Sequence, residues 1–187
     1  MKEKLRKEIK EKRRKLSKEE NRKKSKEIKE RLFGLKEFMG AETVLFYISY
    51  DGEVFTHDMI KEAMKEKRVV VPISNKEDCS LSLSELNNLG DLEIGSYNIL
   101  EPKKDCRKKV SIDEIDLIIV PGVGFDEHGC RMGNGIGYYD SLLKDSSNAL
   151  NVALAFECQI VDEIPTEKHD IPVDKIVTEK RIIDCKS

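Results

Sequence analysis

The chain has 187 residues, enough for one domain and too few for two of ordinary size, with 39% hydrophobic and 37% charged residues. No apolar run approaches the ~20 residues of a membrane-spanning helix, and the N-terminus, MKEKLRKEIKEKRRK, has no apolar stretch behind its charges, which reads against a secretory signal. The net charge of −2 hides an asymmetry: residues 1–31 carry 16 Lys/Arg against 7 Asp/Glu, so the remaining body is acidic. Such a basic arm suits a nucleic acid, a membrane surface or a phosphate ligand, or is simply a solvated helix face. Five cysteines without a CxxC pair and three scattered histidines argue against a zinc site or a disulfide framework, and fit a reduced, cytoplasmic setting.

In chain order, the first 33 residues read as two helices with thin apolar stripes, Leu5, Ile9 and Leu16 in one and Ile28, Leu32 and Phe33 in the other. Ser17-Lys-Glu-Glu20 has the form of a capping box and Gly34 that of a stop. Thr43 to Ser49 is a β-rich run, Thr56 is placed to cap a helix over His57 to Lys67, and Arg68 to Val71 is a second strand. The alternating Ser80 to Ser84 forms a strand with one wet face. The spacer from Asn75 to Asp113 is otherwise polar and irregular. Asp116 to Val120 is a wholly apolar strand, a glycine-rich loop leads to a helix over Gly137 to Lys144, and Asn151 to Phe156 is another buried strand. Lys175 to Thr178 and Arg181 to Ile183 close the chain as strands. Continuous apolar strands alternating with helices indicate an α/β fold with a mainly parallel central sheet covered on both faces. We expect a single domain over 1–187, with residues 1–34 as a helical arm packed on it. Ligands of such sheets bind beyond the carboxyl ends of the strands. Three segments qualify: 48–53, 121–140 and 156–170.

The segment PGVGFDEHGCRMGNGIGYYD, residues 121–140, is the most informative. Gly133, Gly135 and Gly137 alternate between Arg131 and a helix. Their spacing matches neither a Walker loop nor a dinucleotide fingerprint. It does let backbone N–H groups approach an anion, and the helix start adds partial positive charge. Arg131 supplies a fork of donors suited to phosphate oxygens, and Asp140, one turn into the helix, is placed to hold a Mg²⁺ that bridges phosphates. Of Tyr138 and Tyr139, one packs in the core and the other edges a pocket, or one lines a flat heteroaromatic ligand. Most of Glu157, Asp162, Glu163 and Asp170 are surface or cap groups, with Asp170 the one placed for a second metal-ligand role. His169 beside Asp170 is a structural pair or a base. Glu53 is a loop acid, or the bidentate acceptor of a ligand with adjacent N–H donors. Cys130 has no base partner, although Arg131 beside it favours a thiolate. In the arm, Lys2, Lys4 and Arg6 reach a polyphosphate if the first helix folds over the loop, whereas Lys12 to Lys15 and Arg22 to Lys29 read as solvated faces. No aromatic residue is interleaved with these charges, as single-strand nucleic-acid binding would favour.

These blocks together resemble the 5-formyltetrahydrofolate cyclo-ligase (methenyltetrahydrofolate synthetase) family. The likeness runs over nearly the whole chain: Lys2-x-x-Leu5-Arg6, Ile48 to Glu53, residues 121–140, ALAFECQIVDEIP, His169-Asp170 and Val173-Asp174. The resemblance implies ATP-dependent cyclisation of 5-formyltetrahydrofolate to 5,10-methenyltetrahydrofolate, with release of ADP and phosphate. It implies that the formyl oxygen attacks the γ-phosphate and that N10 then attacks the activated carbon. Carried onto matching positions, it places ATP at Lys2, Lys4, Arg6 and Arg131, Met132, Gly133, Asn134, Gly135, Ile136, Gly137, Tyr138 and Tyr139. It places the folate at Arg6, Ile48, Glu53 and Asn134, Gly135, Ile136, Gly137 and Tyr138, and Mg²⁺ at Asp140 and Asp170. Arg131 is the residue assigned to charge stabilisation during catalysis. Some members carry basic residues where this chain has Asn134 and Ile136, so Arg131 and backbone N–H groups take more of the phosphate holding. The expected partners are these two small molecules with Mg²⁺, no nucleic acid and no membrane, in a cytoplasmic monomer. Two rivals are a nucleic-acid binder that uses the arm and a sugar-phosphate isomerase that uses the loop without ATP.

Overall fold

A computed structural model describes residues 1–185. The arm forms α1 (Lys2–Arg14) and α2 (Lys18–Phe33). The capping box at Ser17 is made in both directions: Ser17 Oγ accepts from the Glu20 N–H at 3.1 Å, and Glu20 Oε2 accepts from the Ser17 N–H at 2.7 Å. Gly34 ends α2, and Leu35 at once opens a short α3 (Lys36–Gly40) that the sequence pattern did not separate.

β1 (Thr43–Leu45) is shorter than the apolar run implies: Phe46 N–H still donates to the Val70 carbonyl of the neighbouring strand at 2.9 Å, and Tyr47 and Ile48 then leave the ladder while staying buried. α4 (His57–Ala63) also ends four residues early. Thr56 does not cap it; its hydroxyl donates to the Tyr47 carbonyl at 2.7 Å and accepts from the Ser49 N–H at 3.0 Å. A wholly buried hydroxyl is satisfied by the nearest backbone groups, and here those belong to the loop after β1. β2 (Arg68–Asn75) and β3 (Ser80–Glu85) form a hairpin. The spacer is more ordered than its composition suggests. It holds a second hairpin of β4 (Leu92–Ile94) and β5 (Leu100–Pro102), then β6 (Lys109–Val110), which joins the main sheet beside β3. β7 (Leu117–Val120) leads into a hairpin of β8 (Gly124–Phe125) and β9 (Arg131–Met132), followed by α5 (Tyr138–Asp145), β10 (Leu150–Leu154), β11 (Lys175–Val177) and β12 (Ile182–Asp184).

The central sheet has the order β12-β11-β10-β7-β1-β2-β3-β6. The five strands from β11 to β2 are parallel, and the antiparallel strands sit at the edges. Successive strand residues point to opposite faces. Val44, Phe46, Val69, Ile119 and Leu154 meet α2 and α4 on one face; Leu45, Val70, Ile118 and Ala153 meet Leu142 and Leu143 of α5 on the other. This double coverage explains why the central strands read as unbroken apolar runs.

α1 is fixed to the body separately. Ile9, 1% exposed, packs with Val123, Met132 and Ile164. It lies so close to Gly124 that a Cβ there would come within 2.5 Å of Ile9 Cδ1. Among the described residues, no helix is long and apolar enough to cross a membrane.

Candidate functional site

β1 has β2 on one side and β7 on the other, so the chain reverses its direction of winding between β1 and β7. Ligand crevices form at such a point, beyond the strand carboxyl ends. A cavity of about 540 Å³ opens there. Its walls include Tyr47 and Ile48 after β1, Pro72 and Ser74 of β2, Pro121 and Gly122 after β7, and the whole of residues 131–140.

The glycine loop has the backbone that its composition requires. Gly135 (φ 99°) and Gly137 (φ 85°) are left-handed, where a side chain is strained, and Gly137 immediately precedes α5. The first-turn N–H groups of α5 have no partner inside the helix and face the end where anions are stabilised. The loop is anchored from below by Asp126, buried in a turn. Asp126 Oδ1 accepts from the His128 and Cys130 N–H groups at 3.0 Å each, and its Oδ2 accepts from Ile164 N–H at 2.9 Å. Burial, and then Asp126, push the Cys130 thiol up, opposite to the direction expected from Arg131.

Arg131 and Asp140 are bound to each other. Arg131 Nη2 donates to Asp140 Oδ1 at 2.6 Å, and the Arg131 side chain is 6% exposed, with its guanidinium beside the Tyr139 ring. Arg131 Nε is buried without a partner. A buried guanidinium with an unused donor, facing a cavity, suits a further anion. The Tyr139 hydroxyl is likewise buried and unpartnered, and its pKa is raised, chiefly by burial. Tyr139 packs into both cores, while Tyr138 turns outward and donates to the Tyr97 hydroxyl at 3.1 Å.

Glu53 lies at the β1 end of the same cavity, in a tight loop. Burial pushes its carboxyl up to about 7, although the Tyr50 N–H donates to Oε2 at 3.1 Å and Arg13 stands nearby. A desolvated acceptor of this kind gains most from a ligand with paired N–H donors.

The arm reaches the cavity as expected at Lys2 and Arg6. Arg6 Nε donates to the Gly133 carbonyl at 3.0 Å, and Lys2 pairs with Glu167 at 2.9 Å. Lys4 does not line it; its side chain is 85% exposed and its partner is Glu8. Met132, Asn134 and Ile136 line it, with Ile136 partly exposed. Asp140 and Asp170 line it too, from α5 and from the segment before β11.

Asp170 Oδ2 accepts from the Glu167 N–H at 2.8 Å, and His169 is an exposed imidazole near both acids, which fits a structural pair. Among the described residues, no three His, Cys, Asp or Glu side chains converge as metal ligands. Mg²⁺ is commonly held by one or two carboxylates, with water and substrate phosphates completing its shell. Two carboxylates lining one cavity, Asp140 and Asp170, suit that arrangement.

Sequence reasoning missed several lining residues. Arg13, assigned to a solvated face, is buried and faces the cavity. Its only sequence signal was its spacing of four from Ile9, which places both on one helix face. Tyr97 and Glu101, from the hairpin in the spacer, also line the wall, as do Tyr47 and Glu167. Glu157, grouped with surface acids, accepts from Arg181 Nε at 2.9 Å and from the Thr178 hydroxyl at 2.7 Å.

Comparison with known proteins shows the family of the chain and the likeness of its fold. The family model described as the 5-formyltetrahydrofolate cyclo-ligase family matches residues 1–179. The 5-formyltetrahydrofolate cyclo-ligase of Escherichia coli K12 is 33% identical, over 76% of this chain and 80% of that protein. The mouse protein of the same name is 31% identical, over 95% and 93%. The solution structure of the 5,10-methenyltetrahydrofolate synthetase of Aquifex aeolicus superposes with a TM-score of 0.89 at 36% identity, over 100% of this chain and 93% of that one. A glycine loop, an arginine–aspartate pair and a desolvated glutamate thus share one crevice in a chain that the family model matches almost from end to end, and the chain belongs to the 5-formyltetrahydrofolate cyclo-ligase family.

Proposed function

We propose that this chain catalyses the ATP- and Mg²⁺-dependent cyclisation of 5-formyltetrahydrofolate to 5,10-methenyltetrahydrofolate. The observation that carries this reading is the single cavity with a phosphate-type end, at residues 131–140, and a heterocycle-type end, at Glu53. The two ends match a polyphosphate donor and a pterin with adjacent N–H groups.

In the first step the formyl oxygen attacks the γ-phosphorus, and the bond to the β–γ bridging oxygen breaks as ADP leaves. In the second, N10 attacks the formyl carbon, and inorganic phosphate leaves with the former formyl oxygen. The N10 proton passes to solvent. The protein's contribution is position and charge. Loop N–H groups and the start of α5 receive the phosphates. Arg131 turns its unused donor toward the charge that develops on the transferring phosphoryl group. Arg6 joins α1 to the loop and covers the reacting centre. Asp140 and Asp170 would hold Mg²⁺, which would supply positive charge against the phosphates. Glu53 accepts from the pterin N–H groups and sets the formyl oxygen in line with the γ-phosphate.

The test mixes protein, 5-formyltetrahydrofolate, ATP and Mg²⁺. Methenyl absorbance is expected to grow with one ADP per product. Well-folded protein that yields no ATP-dependent product would refute the reading. Product formation without ATP would favour an isomerase-type use of the loop instead.

A further inference from the structure

The loop that carries Glu53 is held from outside itself. Asp51 (φ 46°) and Gly52 (φ 77°) are consecutive left-handed residues, a conformation costly for Asp51 unless neighbours hold it. The arm supplies those neighbours. Arg13 Nη2, from the last turn of α1, donates to the Asp51 carbonyl at 2.8 Å. Asn21 Nδ2, from the first turns of α2, donates to the Gly52 and Glu53 carbonyls at 3.1 and 3.2 Å. One turn on, Ser25 Oγ accepts from the Phe55 N–H at 2.9 Å. Three successive carbonyls are thus gripped by two arm side chains, one of them buried and lining the cavity. None of these bonds touches the phosphate end, where α1 uses Arg6 instead.

We propose that Arg13 and Asn21 are positioning residues for Glu53: they fix the 50–53 turn so that its carboxylate meets the heterocycle, and they set affinity for the folate but not for ATP. The proposal rests on the functional reading above for the identity of the ligand, and on the loop geometry for its mechanism. A charged donor lost from a carbonyl weakens the held geometry enough to matter by about tenfold. Arg13→Met keeps the buried stem and removes the donors; Arg13→Lys keeps one donor.

The experiment measures kcat, KM for each substrate and amide exchange in the full-length wild type, Arg13→Met, Arg13→Lys and Asn21→Ala. In Arg13→Met and Asn21→Ala, KM for 5-formyltetrahydrofolate is expected to rise about tenfold. Their kcat and KM for ATP should move less than about twofold, and Arg13→Lys should recover most of the loss. Amides of residues 50–56 should exchange faster in the ligand-free variants while those of 133–140 do not change. Equal rises in both KM values, or unchanged exchange at 50–56, would overturn the proposal. A wild-type chain inert toward 5-formyltetrahydrofolate would refute the functional reading alone, because the exchange comparison still decides whether the arm holds the loop.

Discussion

Glu53 links stability to pH through a simple sign. Its carboxyl is raised from 4.5 to about 7 in the folded chain. Between those values the folded state keeps a proton that the unfolded state has released, so this group's contribution is intact below about 4.5 and is lost as pH rises through 7. Glu53→Gln lacks that loss. Its stability relative to wild type should therefore improve by on the order of 2 kcal/mol between pH 5 and pH 8, read by urea unfolding of the ligand-free proteins. The same variant should raise KM for 5-formyltetrahydrofolate, because an amide replaces one of the two acceptor oxygens of a carboxylate with an NH₂ donor. At the other end of the cavity, Asp140→Ala should lower turnover about a hundredfold or more, mainly by weakening the use of Mg·ATP. A Mg²⁺ titration with an unchanged midpoint would remove Asp140 from the metal role. Residue types announced these positions only in part. Arg131, Asp140 and the glycines form one contiguous string with a recognisable chemistry. Arg13 and Tyr97 do not, since each acquires its place from packing between segments distant in the chain.

At the scale of elements, the contact between α1 and the β8–β9 hairpin governs whether Arg6 reaches the loop. Gly124→Ala would set a methyl group 2.5 Å from Ile9 Cδ1 and 3.4 Å from the Gln159 carbonyl. Overpacking of this kind costs about 1–3 kcal/mol. It should shift α1 outward and raise KM for ATP. Ile9→Val removes the clashing atom, so the double variant should recover both stability and KM, a coupling that a double-mutant cycle measures. The central strands and arm helices were legible in the sequence, because period-2 and period-3.6 patterns reflect burial on sheet faces and helix stripes. α3, the β4–β5 hairpin and β6 were not. They are short, and their pairing is set by partners that a local window does not contain. Thr56 shows the same limit in miniature: its type suits a cap, but a buried hydroxyl takes the carbonyl that the fold places beside it.

For the whole molecule, the proposal that Asp140 and Asp170 hold Mg²⁺ only together with substrate phosphates makes a separable prediction. Chelation of Mg²⁺ should abolish turnover yet leave the melting temperature of the ligand-free protein unchanged, since no described cluster of three donor side chains ties a metal to the fold. A fall in melting temperature on chelation would mean that the metal is structural. The arrangement of the arm also carries a consequence for folding. Lys2 pairs with Glu167, Arg6 with Gly133 and Lys24 with Glu179, spans of 165, 127 and 155 residues. These contacts of the arm therefore form only after residues 133, 167 and 179 are available to meet it. Loop closure over such distances is slow compared with formation of the local β2–β3 hairpin. The arm side of the crevice is thus assembled through long-range contacts, which form later in folding than the local hairpins that make up much of its opposite wall.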